Sequence, residues 1–103
     1  MTKEMMKTNE AKLKKYENLK TVAEKFVRIY GNEYTVAMKT NDNDKSHRHG
    51  IITIEMYAPV LLQSKDALFA MAELHLNSDV CAVAAPYGGE RIRYTFSVED
   101  VYA

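Results

Sequence analysis

The chain has 103 residues, and its 14 Lys and Arg balance its 14 Asp and Glu, so the formal net charge is zero. This length allows one domain whose core needs no disulfide or metal to fold, and a composition of 47% hydrophobic and 27% charged residues excludes disordered and low-complexity chains. Zero net charge also excludes a histone-like DNA coat and a strongly acidic DNA mimic.

The first predicted element is a helix that follows a flexible leader of residues 1–8, and residues 9–103 are expected to form a single domain. Thr8 or Asn9 can cap this helix. Gly31 is expected to end it, because glycine takes the left-handed conformation without strain. Between these limits the apolar residues recur mostly every three or four positions, as on one helical face: Leu13, Tyr16, Leu19, Ala23, Phe26, Val27 and Tyr30.

Two segments with alternating apolar residues then predict a hairpin. Apolar side chains occupy alternate positions from Glu33 to Thr40 and again from Ile51 to Tyr57, as in half-buried strands. A polar loop, Asn41–Gly50, joins the two segments. Pro59 ends the second strand because proline lacks a backbone donor for the ladder.

The second half of the chain repeats this order of helix and hairpin. Ser64 is a predicted N-cap for a helix that is almost entirely apolar between Ala67 and Leu76, with Asn77 near its end. Because a helix that is apolar on most sides must be covered on most sides, we expect it to lie against the sheet and the first helix.

The last predicted hairpin consists of strands Val80–Ala85 and Arg91–Val98 around a turn at Pro86–Glu90. The final strand alternates cleanly, with Ile92, Tyr94, Phe96 and Val98 expected to face inward. The predicted fold class is α+β: a two-layer sandwich in αββαββ order, with a four-stranded antiparallel sheet and two helices on one face.

Candidate metal ligands concentrate in the polar loop. Asp42 and Asp44 have the alternate spacing of a calcium loop, but His47 stands where the turn needs glycine, and Thr53 where a bidentate glutamate belongs. His47 and His49 offer two imidazoles to a transition metal, but two ligands do not make a site. A solvated turn accounts for every residue of the loop, so no metal is predicted.

Candidate catalytic residues are isolated from one another. Cys81 lies in an apolar strand, where a thiol keeps a high pKa and acts as a small hydrophobic group. His75, between two leucines late in the second helix, is best explained as structural. The sequence has no nucleophile-elbow, zinc-protease or phosphate-loop motif. We therefore expect neither enzymatic activity nor a cofactor.

The compartment is predicted from the single cysteine and the lack of long apolar runs. A lone cysteine cannot form an internal disulfide, and secreted domains of this size usually carry several. No apolar stretch approaches the roughly 20 residues that span a bilayer, and the charged N-terminus lacks the apolar core of a signal peptide. We expect a cytoplasmic protein that does not contact a membrane.

Two kinds of partner remain. A basic first helix and an open sheet face could bind single-stranded nucleic acid through phosphate contacts and stacking, although Glu55 lies in the same surface and the aromatic and glycine motif of an RNA-recognition sheet is missing. The alternative partner is a protein, bound by the open face with Tyr57 and Cys81 or Val83, or by a sheet edge. The candidate interaction surface comprises Lys14, Lys25, Arg28, Lys39, Tyr57, Arg91 and Arg93.

The absence of a catalytic constellation favours a small non-catalytic module that binds a protein or nucleoprotein partner. Inhibitors and accessory proteins of phages and mobile elements, including anti-CRISPR proteins, share this size, and we take that class as a hypothesis that no motif in the chain supports. Charge is polarised: residues 1–30 hold eight Lys and Arg against four Glu, whereas residues 63–103 hold three against six Asp and Glu. This polarity favours an oriented contact with a partner or with a second copy in a homodimer.

Overall fold

The computed structural model describes residues 9–41, 48–57, 59, 63–85 and 90–102. The four strands in this part of the chain form one antiparallel sheet, in which the first strand pairs with the second, the second with the fourth, and the fourth with the third. The helices and strands are α1 (Glu10–Tyr34), β1 (Ala37–Asn41), β2 (Gly50–Tyr57), α2 (Lys65–Leu76), β3 (Val80–Ala84) and β4 (Arg91–Val98). The predicted α+β fold, with its αββαββ order and two layers, is confirmed.

Three predicted features lie outside the described residues. They are the leader at residues 1–8, the middle of the polar loop at residues 42–47 and most of the second hairpin turn at residues 86–89. These three predictions therefore stay predictions.

The first helix extends one turn beyond the predicted end. It continues through Gly31 to Tyr34, and Thr35 takes the left-handed conformation with φ 50°. The backbone N–H groups of Thr35 and Val36 both donate to the carbonyl of Gly31, which closes the helix end. The prediction that Gly31 ends the helix is wrong, because a β-branched residue supplies the left-handed cap.

The predicted start of the first strand at Glu33 is also wrong, since that residue belongs to α1. The rings of Phe26, Tyr30 and Tyr34 pack along the last turns of the helix, with centroids 5.0 and 6.2 Å apart in successive pairs. Tyr34 therefore continues a helical row of aromatic side chains instead of beginning an alternating strand. The strand starts at Ala37.

The core lies between the sheet and the helices. The inward residues of β2 and β4 are buried at alternate positions, as predicted, except Ile92, which is half-buried against the core. Ser64 caps α2 by accepting a hydrogen bond from the backbone N–H of Ala67 at 3.1 Å. The largest fully buried side chains are Tyr16, Phe26, Phe96, Leu19, Ile52, Ile54, Met56, Leu74, Val98 and Val101. Removal of these mostly apolar side chains from water is the main contribution to the stability of the fold.

The segment after β4 closes the domain against its first helix. Val101 is fully buried, and its carbonyl accepts from the backbone N–H of Asn9, the N-cap of α1, at 2.9 Å. Asp100 takes a left-handed conformation with φ 57°, and its N–H donates to Nδ1 of His49 at 3.1 Å. The N–H of Tyr102 donates to the carbonyl of Arg48. This segment is therefore part of the folded core.

Candidate functional site

The open face of the sheet carries a closed ion-pair network. Nε of Arg91 donates to Oε1 of Glu55 at 3.0 Å, and Nε of Arg93 donates to Oε2 at 3.1 Å. The other two nitrogens of Arg91 donate to the hydroxyl and the carbonyl of Thr35, at 3.0 and 3.1 Å. The guanidinium of Arg91 also lies 5.3 Å from the ring centroid of Tyr57. The structure thus brings together three residues of the predicted interaction surface, Tyr57, Arg91 and Arg93. Both arginine side chains are already hydrogen-bonded to other groups of the protein.

The strand register explains this network. Tyr57 pairs with Arg91 and Glu55 pairs with Arg93 across β2 and β4, so all four side chains project from the same face. Hydrogen bonds from Arg91 and Arg93 hold the pKa of the Glu55 carboxyl below its usual range. Glu55 therefore stays ionised at neutral pH, and its negative charge offsets part of the positive charge with which Arg91 and Arg93 could bind a phosphate.

The other predicted cations do not form a continuous basic patch. Lys14, Lys25 and Arg28 are exposed on α1, where the acidic residues Glu17 and Glu24 lie among them in the sequence. Lys39 projects from the open sheet face, opposite Thr53 of β2. Within the described part of the chain, no ion pair involves these four cations. Mixed charge of this kind is typical of a solvated helix face.

Two further lysines of α1 hold the start of β3. Nζ of Lys12 and of Lys15 lie 2.6 Å from the two carboxylate oxygens of Asp79, and the backbone N–H of Glu99 donates to one of them at 2.9 Å. Hydrogen bonds from the two ammonium groups hold the pKa of the Asp79 carboxyl far below its usual range. The hydrogen bond between Lys12 and Asp79 also raises the pKa of Lys12. The sequence pattern did not predict this cluster because both lysines lie more than 60 positions from Asp79.

Replacing Asp79 with asparagine is expected to destabilise the protein by about 1–2 kcal/mol at neutral pH, since three charge-assisted hydrogen bonds weaken at a partly exposed site. The folded-state pKa of Asp79 is depressed, so its contribution is present above the ordinary carboxyl pKa of about 4 and is lost as pH falls below that value. Denaturant unfolding at several pH values measures this. Glu99→Gln is the matched control, and a wild-type minus Asp79→Asn difference that stays constant down to acid pH would contradict the assignment.

The second helix is less covered than predicted. Its buried stripe consists of Ala67, Met71 and Leu74, whereas Phe69 is 74% exposed and Leu76 81% exposed. The expectation that α2 is covered on most sides is therefore wrong. The helix meets α1 and the sheet along one stripe only, and nothing in the described part of the chain lies over its outer side.

A groove of about 240 Å³ runs between α1 and α2. Phe69, with Ile29 (56% exposed) on α1, gives it an apolar rim, and the walls also carry Lys25 and Glu73, one from each helix. The lining residues are Val22, Lys25, Phe26, Ile29, Tyr30, Phe69, Ala70 and Glu73. Lys25 is the one residue of the predicted interaction surface that belongs to this groove. The signal that could have revealed the groove was α2 itself, which is too apolar for one neighbouring helix and one sheet to cover.

Comparisons with protein-family models, with curated proteins and with solved structures find no match. The groove and the charged networks are therefore the features from which function is inferred.

Cys81 and Val83 do not lie on the open sheet face. Their register partners are Phe96 and Tyr94, whose side chains point toward the helices, so both residues share the helix side of the sheet. The expectation that either contributes to the open face is wrong. Burial raises the pKa of the Cys81 thiol, which weakens its nucleophilic character at neutral pH.

The two described histidines, His49 and His75, each contact another part of the fold. His75 makes an edge-to-face contact with Phe96, with ring centroids 5.2 Å apart, and Nδ1 of His49 is occupied by the Asp100 N–H. His47 lies outside the described residues. Among the residues that are described, no three His, Cys, Asp or Glu side chains are placed to hold a metal ion. Neither α1 nor α2 has the length and apolar character needed to cross a bilayer.

Proposed function

We propose that the protein is a non-catalytic interaction module that binds a protein partner in the groove between α1 and α2. The observation that carries the proposal is the exposure of Phe69 at the groove rim, next to Ile29. Large apolar side chains that cluster in solvent around a cavity mark protein contact sites, and aromatic residues dominate the binding energy of such sites.

The groove chemistry favours an amphipathic helical partner. Its floor is apolar, and its walls are parts of two neighbouring helices, which suits an amphipathic helical segment that places an apolar side chain beside Phe26 and Phe69. Lys25 and Glu73 supply one charge of each sign. A partner with an acidic and a basic residue flanking its apolar side chain would bind in one orientation.

Nucleic-acid binding is the weaker alternative. Arg91 and Arg93 share the carboxylate of Glu55, and Lys12 and Lys15 share that of Asp79, so phosphates would have to compete with these carboxylates. Cytoplasmic location, and membership of the inhibitors or accessory proteins of phages and mobile elements, remain predictions from size and composition.

The test compares Phe69→Asp with Ala72→Asp, since both positions are exposed on α2 but only Phe69 lines the groove. Affinity capture from the native host, followed by calorimetry with the purified partner, is expected to show at least a tenfold loss of affinity for Phe69→Asp, the effect of removing about 1.4 kcal/mol. Ala72→Asp should bind like the wild type. Equal binding by both variants would contradict the proposal.

A titration with DNA and RNA at two salt concentrations tests the alternative. Under the proposal, binding is absent or insensitive to Lys25→Glu. An affinity that falls steeply with salt and is further weakened in a Lys14→Glu/Arg28→Glu variant would support nucleic-acid binding and overturn the protein-groove proposal.

A further inference from the structure

The strand β3 forms one edge of the sheet. Its residues, Val80–Ala84, are all apolar, and four of the five are exposed. Within the described part of the chain, β4 is its only neighbour. The opposite edge strand, β1, carries Lys39, Thr40 and Asn41, which are polar residues of the kind that discourage pairing with another chain. The sequence of β3 is therefore better suited than that of β1 to pair with a strand of another chain.

The backbone of β3 has hydrogen-bonding groups to offer. In an antiparallel pair, alternate residues direct both N–H and C=O toward the partner strand, and the residues between them direct these groups away. Either Val80, Ala82 and Ala84, or Cys81 and Val83, therefore direct backbone N–H and C=O groups to the outer side of β3, where no other strand of the described part of the chain pairs with them. An added antiparallel strand would satisfy them.

We propose that β3 pairs with β3 of a second copy of this chain, forming a symmetric homodimer. In the register centred on Ala82, all five residues of each strand are paired: Ala82 faces Ala82 of the second copy, and Cys81 faces Val83. This register keeps like faces together, so the helices of both copies lie on the same side of one continuous sheet.

Charge and exposure both suit this pairing. The strand carries no charge, and the nearest acid, Asp79, is neutralised within its own chain by Lys12 and Lys15, so no like charges oppose each other across the two-fold axis. Val83 lies on the helix side of the sheet yet is 55% exposed. Pairing would cover it with Cys81 of the second copy.

The helix layer extends the apolar surface beyond the ladder. His75 contacts Phe96 of β4, and Leu68 lies two turns earlier on that same side of α2. This side of α2 faces away from the groove, which Phe69, Ala70 and Glu73 line. Leu68 is 49% exposed there. The dimer contact therefore has an apolar helix flank as well as a strand edge, and it is distinct from the groove.

A charge-exchange experiment at Ala82 tests the proposal, because in this register residue 82 faces its own copy across the axis. Wild type is expected to show a concentration-dependent dimer mass in sedimentation equilibrium. Ala82→Asp and Ala82→Lys should each raise the dimer dissociation constant at least tenfold, since like charges then oppose each other. An equimolar mixture of the two variants should recover dimerisation as a heterodimer. Circular dichroism confirms that each exposed-site variant is folded.

A cross-link measures the register. In a Cys81→Ser/Ala82→Cys variant, the two new thiols should oxidise to a disulfide-linked dimer, because directly opposed residues have Cα atoms about 4.5–5.5 Å apart. Cys81→Ser/Lys39→Cys, at the other edge of the sheet, should form no disulfide-linked dimer, although its β3 can still pair without a covalent bond. A wild type that is monomeric into the millimolar range would overturn the dimer, and so would a dimer that both charges at position 82 leave intact. Phe69→Asp should not affect dimerisation, because Phe69 lines the groove and lies outside β3. Failure of the dimer proposal is therefore distinguishable from failure of the proposed partner binding in the groove.

Discussion

Replacing Gly50 with alanine is expected to destabilise the protein by about 3 kcal/mol, at the upper end of the cost of overpacking a core. A Cβ at this position would lie 2.5–2.6 Å from Cγ, Cδ1 and Cδ2 of Tyr16. That ring is fully buried, and its hydroxyl donates to the carbonyl of Ile51 at 3.3 Å. The ring cannot retreat without disturbing the helix that carries it, because the clash is at its base and not at a flexible tip.

Gly31→Ala is the matched control, with the opposite expected sign. Gly31 lies inside α1, and an added Cβ would meet Cγ1 of Val27 at 3.5 Å and the carbonyl of Val36 at 3.6 Å, which are ordinary contacts. Alanine should therefore stabilise the protein by about 0.5–1 kcal/mol. Urea unfolding of both variants measures the contrast. A neutral Gly50→Ala would show that the Tyr16 ring does not pack on β2 as described.

Replacing Val101 with aspartate is expected to cost about 4 kcal/mol or more, enough to unfold a substantial fraction of a marginally stable domain. Val101 is fully buried among apolar side chains, so the carboxylate would lose its hydration without gaining a partner. Val101→Ala removes two buried carbon atoms and should cost about 1.5–2 kcal/mol.

Glu99→Ala, two residues earlier and exposed, is the control for this segment and should change stability by less than about 0.5 kcal/mol. Thermal and urea unfolding report all three variants. If Val101→Asp unfolds with the wild-type midpoint, the segment after β4 is not docked in the core.

Local patterns predicted the elements whose burial follows a simple period. The alternation in Arg91–Val98 and the Ser64 cap were predicted at the positions that the structure shows. The end of α1 was not predictable in this way. Thr35 takes a conformation that its own side chain disfavours, and its hydroxyl and carbonyl are bound by Arg91, which lies 56 positions away. A tertiary contact of this length leaves no trace in a local pattern.

The candidate site also has features that local patterns predict and features that depend on tertiary contacts. That Tyr57, Arg91 and Arg93 share one sheet face follows from alternation, and it was predicted. That Arg91 and Arg93 share Glu55 depends on the pairing of β2 with β4 in one register, which composition does not specify. The exposure of Phe69 depends on how many elements surround α2, and this number is a property of the assembled fold.

The hydrogen bond between Asn9 and Val101 has a consequence for the order in which the chain assembles during synthesis. The backbone acceptor of the N-cap residue Asn9 and the central partner strand of β2 both lie in residues 91–101, which are synthesised after α1 and β2. Until β4 is synthesised, α1 can cover the apolar face of β2, but the edge of β2 that pairs with β4 has no partner strand. During synthesis, the unpaired edge of β2, with its apolar residues Ile52, Ile54 and Met56, is therefore open to association with other molecules. The four-stranded sheet can form only after β4 has been synthesised.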